Sequence, residues 1–260
     1  MSLQRLAITA VGAVLLAFLL LPVAALFITV SPMRLMAALQ RAVVWPALRL
    51  SMLTTISSLV IVVALGTPLA WTLALRRGRA RDMVETAVQL PIVIPPAVAG
   101  VAMLLAFGRR GFWAGVLYPR GESIAFTTGA VVMAEVFVSA PFYVQAATSA
   151  FRRIDPRWIT VAKTFGASDL QVLCRIALPM AAPALTAGAA MSWARALGEF
   201  GATLMFAGNL EGRTQTVPLA IYTALESDLL TAQALSILLV VFAFGLLLLI
   251  RRSAQRSEAR

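Results

Sequence analysis

The chain has 260 residues, of which 60% are hydrophobic and only 13% are charged, with a formal net charge of +11. A soluble domain of this length needs a more charged surface, so the composition indicates a protein that lies largely in lipid. The sequence has no histidine and one cysteine, Cys174. It therefore forms no internal disulfide, and catalysis by a Cys–His or Ser–His pair is excluded.

Six apolar segments are long enough to cross a hydrocarbon core of roughly 30 Å, which needs about 20 helical residues. They cover residues 6–30, 51–75, 87–107, 124–150, 181–207 and 229–250. The first exceeds the apolar core of a secretory signal, so we expect it to be retained as a span. Prolines mark bends that neighbouring helices tolerate; they are Pro68, Pro91, Pro95, Pro96 and Pro141. The sequence predicts an all-α polytopic membrane protein with a single transmembrane domain, residues 1–260.

The distribution of Lys and Arg predicts the orientation of these spans. The N-terminus, the loops after the second and fourth spans and the C-terminal tail hold 14 of these residues, whereas the opposite loops hold seven. Since positive residues remain on the cytoplasmic side, we expect both termini in the cytoplasm. Topology accounts for most of the basic charge, and no basic face is interleaved with aromatic residues. We therefore expect the lipid bilayer, and no nucleic acid, as a partner.

The longest predicted cytoplasmic segment, residues 152–180, begins with a short helix. Asp155 is an N-cap acceptor and Pro156 suits the first helical position. The helix is expected to run to about Phe165, where Gly166 takes the left-handed conformation that ends it. At about ten residues it is too short to cross a membrane.

A second helix is predicted after the glycine. Ser168 and Gln171 have the spacing of a capping box, and we expect this helix to end near Pro179. Two interpretations of the pair of helices are open. They form a hairpin on the lipid headgroups, or the first helix docks into a groove on a cytoplasmic partner through its apolar residues. Those residues are Trp158, Val161, Ala162 and Phe165.

The spacing of four residues in this segment resembles the cytoplasmic loop motif of type I ABC importer permeases. A glycine is followed ten residues later by isoleucine and then by Leu-Pro; here these are Gly166, Ile176, Leu178 and Pro179. The resemblance implies that the first short helix is a coupling helix, seated in a cleft of a separate ATP-hydrolysing subunit. It also implies a permease that acts as a homodimer.

The chain departs from the first half of that motif, which is Glu-Ala-Ala in the family. Thr160, Val161 and Ala162 stand at those positions, so the acidic residue is missing. We expect Lys163 and Asp169 to supply the polar contacts with the ATPase instead. The coupling residues expected from the resemblance are Thr160, Val161, Ala162, Lys163, Phe165, Gly166, Asp169, Ile176, Leu178 and Pro179.

Charged residues lie deep in the predicted fourth and fifth spans. Arg195 and Glu199 are four residues apart, on one helix face, and Glu135 could share Arg195. Charges at this depth are costly and mark functional sites. Two interpretations are open: a static ion pair that locks the helices, or a gate that breaks and reforms. The gate and pathway candidates are Arg195, Glu199, Gly201, Thr203, Asn209 and Glu135.

Three sequence pieces resemble molybdate and tungstate permeases, a group related to sulfate permeases. They are RALGEFGAT (195–203), FAGN (206–209) and TQTVPLAIY (214–222). The resemblance implies import of a tetrahedral oxyanion across a bacterial or archaeal cytoplasmic membrane. An extracytoplasmic binding protein would deliver the ion and dock on residues 209–228. Thr203 and Asn209 suit the weak, transient donors that such a pathway needs. Sulfate or thiosulfate is the alternative substrate.

The energy source must lie outside the chain if transport is ATP-driven. The sequence contains no G-x-x-x-x-G-K-[S/T] motif, so ATP and Mg²⁺ are expected in a partner ATPase and no cofactor or metal in this chain. Six spans are too few to enclose a gated pathway. We therefore expect two copies around a two-fold axis, with two ATPases and one binding protein. An ATP-independent secondary transporter is the rival class. Such transporters have interrupted apolar segments at corresponding positions of their two halves, and the two halves of this sequence show none. An intramembrane enzyme would lack the residues for its chemistry.

Overall fold

A computed structural model describes residues 3–118 and 122–258. Within these two ranges the chain is helical, with no strand. The α-helices in chain order are α1 Leu3–Ile28, α2 Pro32–Leu39, α3 Val44–Leu75, α4 Arg79–Val93, α5 Pro96–Phe107, α6 Ala114–Leu117, α7 Thr128–Arg152, α8 Pro156–Thr164, α9 Asp169–Val172, α10 Leu178–Leu197, α11 Gly201–Ala207, α12 Val217–Ser227 and α13 Leu229–Glu258.

Four helical segments of the described ranges are long and apolar enough to cross a membrane. They are Thr9–Ile28, Val44–Leu75, Thr128–Arg152 and Asp169–Leu197. Helices α4 and α5 would make a fifth span if the bent pair crosses as one, and the apolar stretch Leu229–Gly245 of α13 is shorter. The all-α membrane class is confirmed, whereas six spans and a homodimer stay predictions.

The third predicted span, 87–107, is not one straight helix. Helix α4 ends at Val93, α5 begins at Pro96, and their axes differ by 114°. Proline disfavours the helical conformation in the residue before it, and both Ile94 and Pro95 are extended, with ψ of 128° and 135°. Two consecutive prolines therefore turn the predicted bend into a break.

The fifth predicted span, 181–207, begins earlier than expected, and it is interrupted between Leu197 and Gly201. The second cytoplasmic helix does not end near Pro179 but continues into α10 through a π-helical turn, Leu173–Ala177. In that turn the Leu178 N–H bonds to the Leu173 carbonyl five residues back. The wider turn accommodates Pro179, which has no N–H to donate. Asp169–Leu197 is therefore one continuous helical rod.

Helices α3, α7 and α10 pack together at the centre of the fold. The core between them includes Trp71 and Phe151, whose rings meet edge to face with centroids 5.3 Å apart. Beyond the end of α10, helix α11 packs against α5 and α7. The apolar stretch of α1 is not buried against the rest of the chain. Because α7 packs against both α10 and α11, it links the long helical rod to the helices near the end of α10.

The close approach of α5 and α11 depends on Gly100. A Cβ at this position would lie 2.6 Å from the Met205 Cβ and 2.7 Å from the Ala202 carbonyl oxygen. Since a backbone atom cannot move aside alone, we expect Gly100→Ala to lower the free energy of unfolding by about 1–3 kcal/mol. The control is Gly12→Ala, a helical glycine with open space around it. Thermal unfolding in detergent compares the two, and equal midpoints would contradict the packing.

Candidate functional site

The cytoplasmic segment begins with the helix that its sequence predicts. The Asp155 carboxylate accepts a 2.9 Å hydrogen bond from the Arg157 N–H and caps α8. The helix ends at Thr164, one residue before the predicted end, and Gly166 takes a φ of +82°. The Ala167 N–H then bonds back to the Ala162 carbonyl at 3.1 Å, which closes the turn. The first helix and its glycine stop are confirmed.

The start of the second helix is also confirmed. The Ser168 hydroxyl accepts from the Gln171 N–H at 3.3 Å, and the Gln171 side chain accepts from the Ser168 N–H at 2.8 Å. This reciprocal pair is the predicted capping box. It fixes the first residues of the rod immediately after the glycine turn.

Helix α8 has one side against the protein and one side exposed. Ile159 and Ala162 pack against the central core, so Ala162 does not share the exposed face predicted for it. The outward residues are large and apolar: Trp158, Val161 and Phe165. We call these three the α8 surface. Phe165 is the most exposed of the three, at 88%. Exposed apolar side chains grouped on one helix face are typical of interaction sites, and binding of a partner here stays a prediction.

The polar residues of the segment bond within the chain. The Thr160 hydroxyl, at the position of the missing acid, donates to the Pro156 carbonyl at 3.0 Å. Lys163 and Asp169 form a 2.7 Å ion pair with each other across the Gly166 turn. Both side chains of the pair are largely exposed, so the pair contributes less than about 1 kcal/mol to the stability of the turn. Their expected contact with an ATPase stays a prediction.

The last three residues of the loop motif position the rod. Leu178 packs against the central core beside the fully buried Ala177, and Ile176 is partly buried in the π-helical turn. Pro179 is exposed at the start of α10. These residues therefore hold the junction between the cytoplasmic segment and the membrane helix, rather than extending the α8 surface.

The predicted ion pair at the end of α10 is present. An Arg195 guanidinium nitrogen lies 2.7 Å from Glu199 Oε2, with Glu199 only 1% exposed and Arg195 29% exposed. The other carboxylate oxygen, Oε1, accepts a 2.8 Å hydrogen bond from the Ala202 N–H. Glu199 therefore joins two helices: it neutralises Arg195 on α10 and caps the first turn of α11.

Glu135 on α7 has a different partner from the one expected. It is buried, and its Oε1 accepts a 2.8 Å hydrogen bond from the Thr54 hydroxyl on α3. Arg195 forms its ion pair with Glu199, and within the described residues Glu135 forms no ion pair. The expected sharing of Arg195 is therefore wrong for this conformation.

The Thr54–Glu135 bond can be tested by substitution. Thr54→Val keeps the shape of the side chain but removes the hydroxyl that donates to the buried Glu135 carboxyl group. We expect a loss of about 1–3 kcal/mol in the free energy of unfolding. Thr72→Val is the control on the same helix, since Thr72 is exposed and bonds only to the Leu69 carbonyl. An equal loss in both variants, measured by denaturation in detergent, would mean that the inter-helix bond contributes nothing.

The remaining gate and pathway candidates all follow the break between α10 and α11. Gly201 allows close contact with α5, since a Cβ there would lie 2.8 Å from the Pro96 Cβ. Thr203 is buried, and its hydroxyl has no partner among the described residues. Asn209 follows α11 and donates from its amide to the Thr223 hydroxyl on α12 at 2.8 Å. The structure thus groups Arg195, Glu199, Gly201 and Thr203 and places Asn209 apart.

A buried polar face on α3 was missed by the sequence analysis. It consists of Ser51, Thr54, Thr55 and Ser58, whose spacing of three, four and seven residues is the signal that could have found it. The Ser51 hydroxyl accepts a 2.8 Å hydrogen bond from the Val217 N–H and so holds the start of α12. Helix α3 therefore connects Glu135 to the loop that follows α11.

The predicted docking loop, residues 209–228, is irregular only up to Thr216, because residues 217–227 form helix α12. The Thr214 hydroxyl accepts from the Leu210 N–H at 2.9 Å, and Gly212 has a φ of +71°. At its end, hydrogen bonds from Thr231 and the nearby Arg41 hold the pKa of the Asp228 carboxyl below its usual value. Residues 214–217 are buried, so only part of this segment is exposed, and docking on it stays a prediction.

The chain is similar in sequence to a known family and to named transport proteins. A family model described as "Binding-protein-dependent transport system inner membrane component" matches residues 66–259. The "Molybdenum transport system permease protein ModB" of Mycobacterium tuberculosis is 43% identical over 226 residues, 87% of this chain and 86% of the relative. The "Probable transport system permease protein NifC" of Clostridium pasteurianum is 37% identical over 210 residues, 80% of this chain and 73% of the relative.

Solved structures share the fold at low sequence identity. A chain of a bacterial ABC transporter involved in the import of alginate has a TM-score of 0.77 and 17% identity, covering 97% of this chain and 96% of its own. A chain of the MetNI methionine ABC transporter in an inward-facing conformation has a TM-score of 0.65 and 18% identity, covering 82% of this chain and 95% of its own.

Proposed function

The chain belongs to the family of binding-protein-dependent transport system inner membrane components, and we propose that it is the permease subunit through which an ATP-driven importer moves molybdate or tungstate into the cell. The observation that carries the coupling part of this proposal is the α8 surface. An exposed apolar helix face, held by a glycine turn at the end of a rigid rod, suits docking into a groove of an ATPase.

The substrate part rests on the relatives. Several of them are named molybdenum transport permeases and are 36–43% identical to this chain over most of its length. In the proposed assembly, two copies of the permease enclose the pathway. Two cytoplasmic ATPases bind ATP with Mg²⁺ and hydrolyse it, and one extracytoplasmic protein delivers the ion to the segment at residues 209–228.

The rod explains how motion of the ATPase could reach the pathway. Because Asp169–Leu197 is continuous, a displacement at α8 is transmitted along α10 to its far end. There Glu199 connects α10 to α11, and α11 packs against α5 and α7. In this proposal the ATPase moves α8, the rod tilts, and the α11–α5 contact opens or closes the pathway.

Retention of the ATPase on a tagged permease tests the proposal. Phe165→Ser removes the most exposed residue of the α8 surface, and we expect at least about tenfold less ATPase to co-purify. Phe112→Ser is the control, since Phe112 is 84% exposed but lies outside the cytoplasmic segment. It should retain the ATPase fully. If no ATPase accompanies the wild-type permease, or if both variants retain it equally, the proposed docking is wrong.

A further inference from the structure

One side of α7 carries three polar side chains without a partner in the described part of the chain. Gln145, Ser149 and Arg153 make no side-chain hydrogen bond or ion pair there. They are spaced by four residues, so they lie on one helix face with about 6 Å of rise between neighbours. We call these three residues the α7 stripe.

Two other polar residues of the same types, one arginine and one serine, have a partner within the chain. Arg152, adjacent to Arg153, forms a 2.8 Å ion pair with Glu85 on α4. The hydroxyl of Ser57 on α3 donates to the Leu53 carbonyl at 2.7 Å, as hydroxyls in membrane helices commonly do. The Thr148 hydroxyl on α7 and the Thr203 hydroxyl on α11 also lack a partner among the described residues, so what distinguishes the α7 stripe is its position along a groove.

The α7 stripe faces a groove of about 470 Å³ between α7 and α10. The α10 side of the groove is formed by small residues and one methionine: Ala184, Ala187, Gly188 and Met191. Among the described residues that line it, Arg153 is the only charged one, so no acid offsets its charge. Since a water molecule takes about 30 Å³ of liquid volume, the groove has room for a small hydrated anion.

Lipid is a poor occupant for this groove. Helix α7 is a candidate span, and Gln145 lies seven residues before its end at Arg152, about 10 Å along the helix. An amide without a hydrogen-bond partner in hydrocarbon costs several kcal/mol. Water or a polar ligand can form hydrogen bonds with such a group, whereas acyl chains cannot.

We propose that the α7 stripe lines the cytoplasmic half of the oxyanion route. Gln145 and Ser149 are neutral donors that bind a tetrahedral oxyanion weakly enough to release it. Arg153, at the end of α7, raises the local concentration of anions at the mouth of the groove and draws the ion toward it. This inference rests on the proposed oxyanion import and adds the residues that contact the ion after the gate.

Thiol accessibility tests whether the groove is open to water, independently of transport. In a Cys174→Ser background, Gln145→Cys and Ser149→Cys are introduced singly into the assembled transporter in inverted membrane vesicles. We expect an anionic, membrane-impermeant methanethiosulfonate to modify both, and saturating molybdate to slow the modification. The control is Ser57→Cys, since Ser57 lies among the exposed apolar residues Leu53, Ile56 and Val60 of α3 and should not react.

Three results would overturn the inference. The first is that positions 145 and 149 are unreactive. The second is that they crosslink to the second copy of the chain, which would make the groove a dimer interface. The third is that molybdate leaves their modification rate unchanged. Each of these results concerns the groove alone and does not contradict the proposed docking of the α8 surface into an ATPase.

Transport measurements separate this inference from the proposed function. We expect Gln145→Met and Arg153→Gln to lower molybdate uptake about tenfold, as loss of a hydrogen bond to an anion predicts, while Arg153→Lys retains most of it. Ser57→Ala should have no effect. Absence of molybdate uptake by the wild-type transporter would contradict the proposed function. Normal uptake by Gln145→Met and Arg153→Gln would contradict only the role of the α7 stripe.

Discussion

Gly166→Val is expected to lower ATP-driven uptake at least about tenfold while leaving membrane insertion intact. The φ of Gly166 is +82°, a conformation that costs a residue with a Cβ about 1–2 kcal/mol. No atom lies within 4 Å of a Cβ built there, so the effect comes from the backbone rather than from a clash. To relieve the strain the turn must change, and α8 then leaves its fixed position relative to the rod.

Gly166→Asn is the matched control, because asparagine adopts the left-handed conformation more readily than other residues. It should retain most of the uptake at equal expression. Uptake into proteoliposomes, together with size-exclusion chromatography to check assembly, measures both variants. If Gly166→Val transports normally, the geometry of the turn is irrelevant to coupling.

Arg195→Met is expected to have the largest effect on stability, a loss of about 3–5 kcal/mol. Glu199 is 1% exposed and keeps its hydrogen bond to the Ala202 N–H, so removing Arg195 leaves a buried carboxylate without its counter-charge. The variant should unfold at a markedly lower temperature in detergent. An unchanged unfolding midpoint would show that the pair contributes little to the folded state.

Adding Glu199→Gln to Arg195→Met should restore most of that stability, since the glutamine oxygen can still accept from the Ala202 N–H. The double variant also separates the two interpretations of the pair. If the pair is a gate, we expect the double variant to fold yet transport poorly, because the charges that break and reform are gone. Recovery of both stability and uptake would show that the pair only holds α10 against α11.

Local features of the fold could be predicted because neighbouring residues determine them. The Asp155 cap, the Gly166 stop and the Ser168–Gln171 capping box each involve residues at most five apart, and all three are present. The continuation through Pro179 could not be predicted in the same way. It depends on a π-helical turn held in place by Ala177 and Leu178 against the distant core.

Contacts between helices were harder to predict than the helices themselves. The pair Arg195–Glu199 was predictable, because four residues of helix fix their separation. The partner of Glu135 was not, because it depends on how α7 rotates against α3, and that packing brings Thr54 rather than Arg195 to the carboxylate. Similarly, the pattern of α8 did not reveal that Ala162 turns toward the core.

The most direct test of the account is molybdate uptake into proteoliposomes that contain the permease with its ATPase, with the binding protein outside and ATP inside. We expect uptake only when ATP, the ATPase and the binding protein are all present, and none by the purified chain alone. Accumulation that needs no ATPase, or movement of molybdate down its gradient through the chain alone, would contradict it.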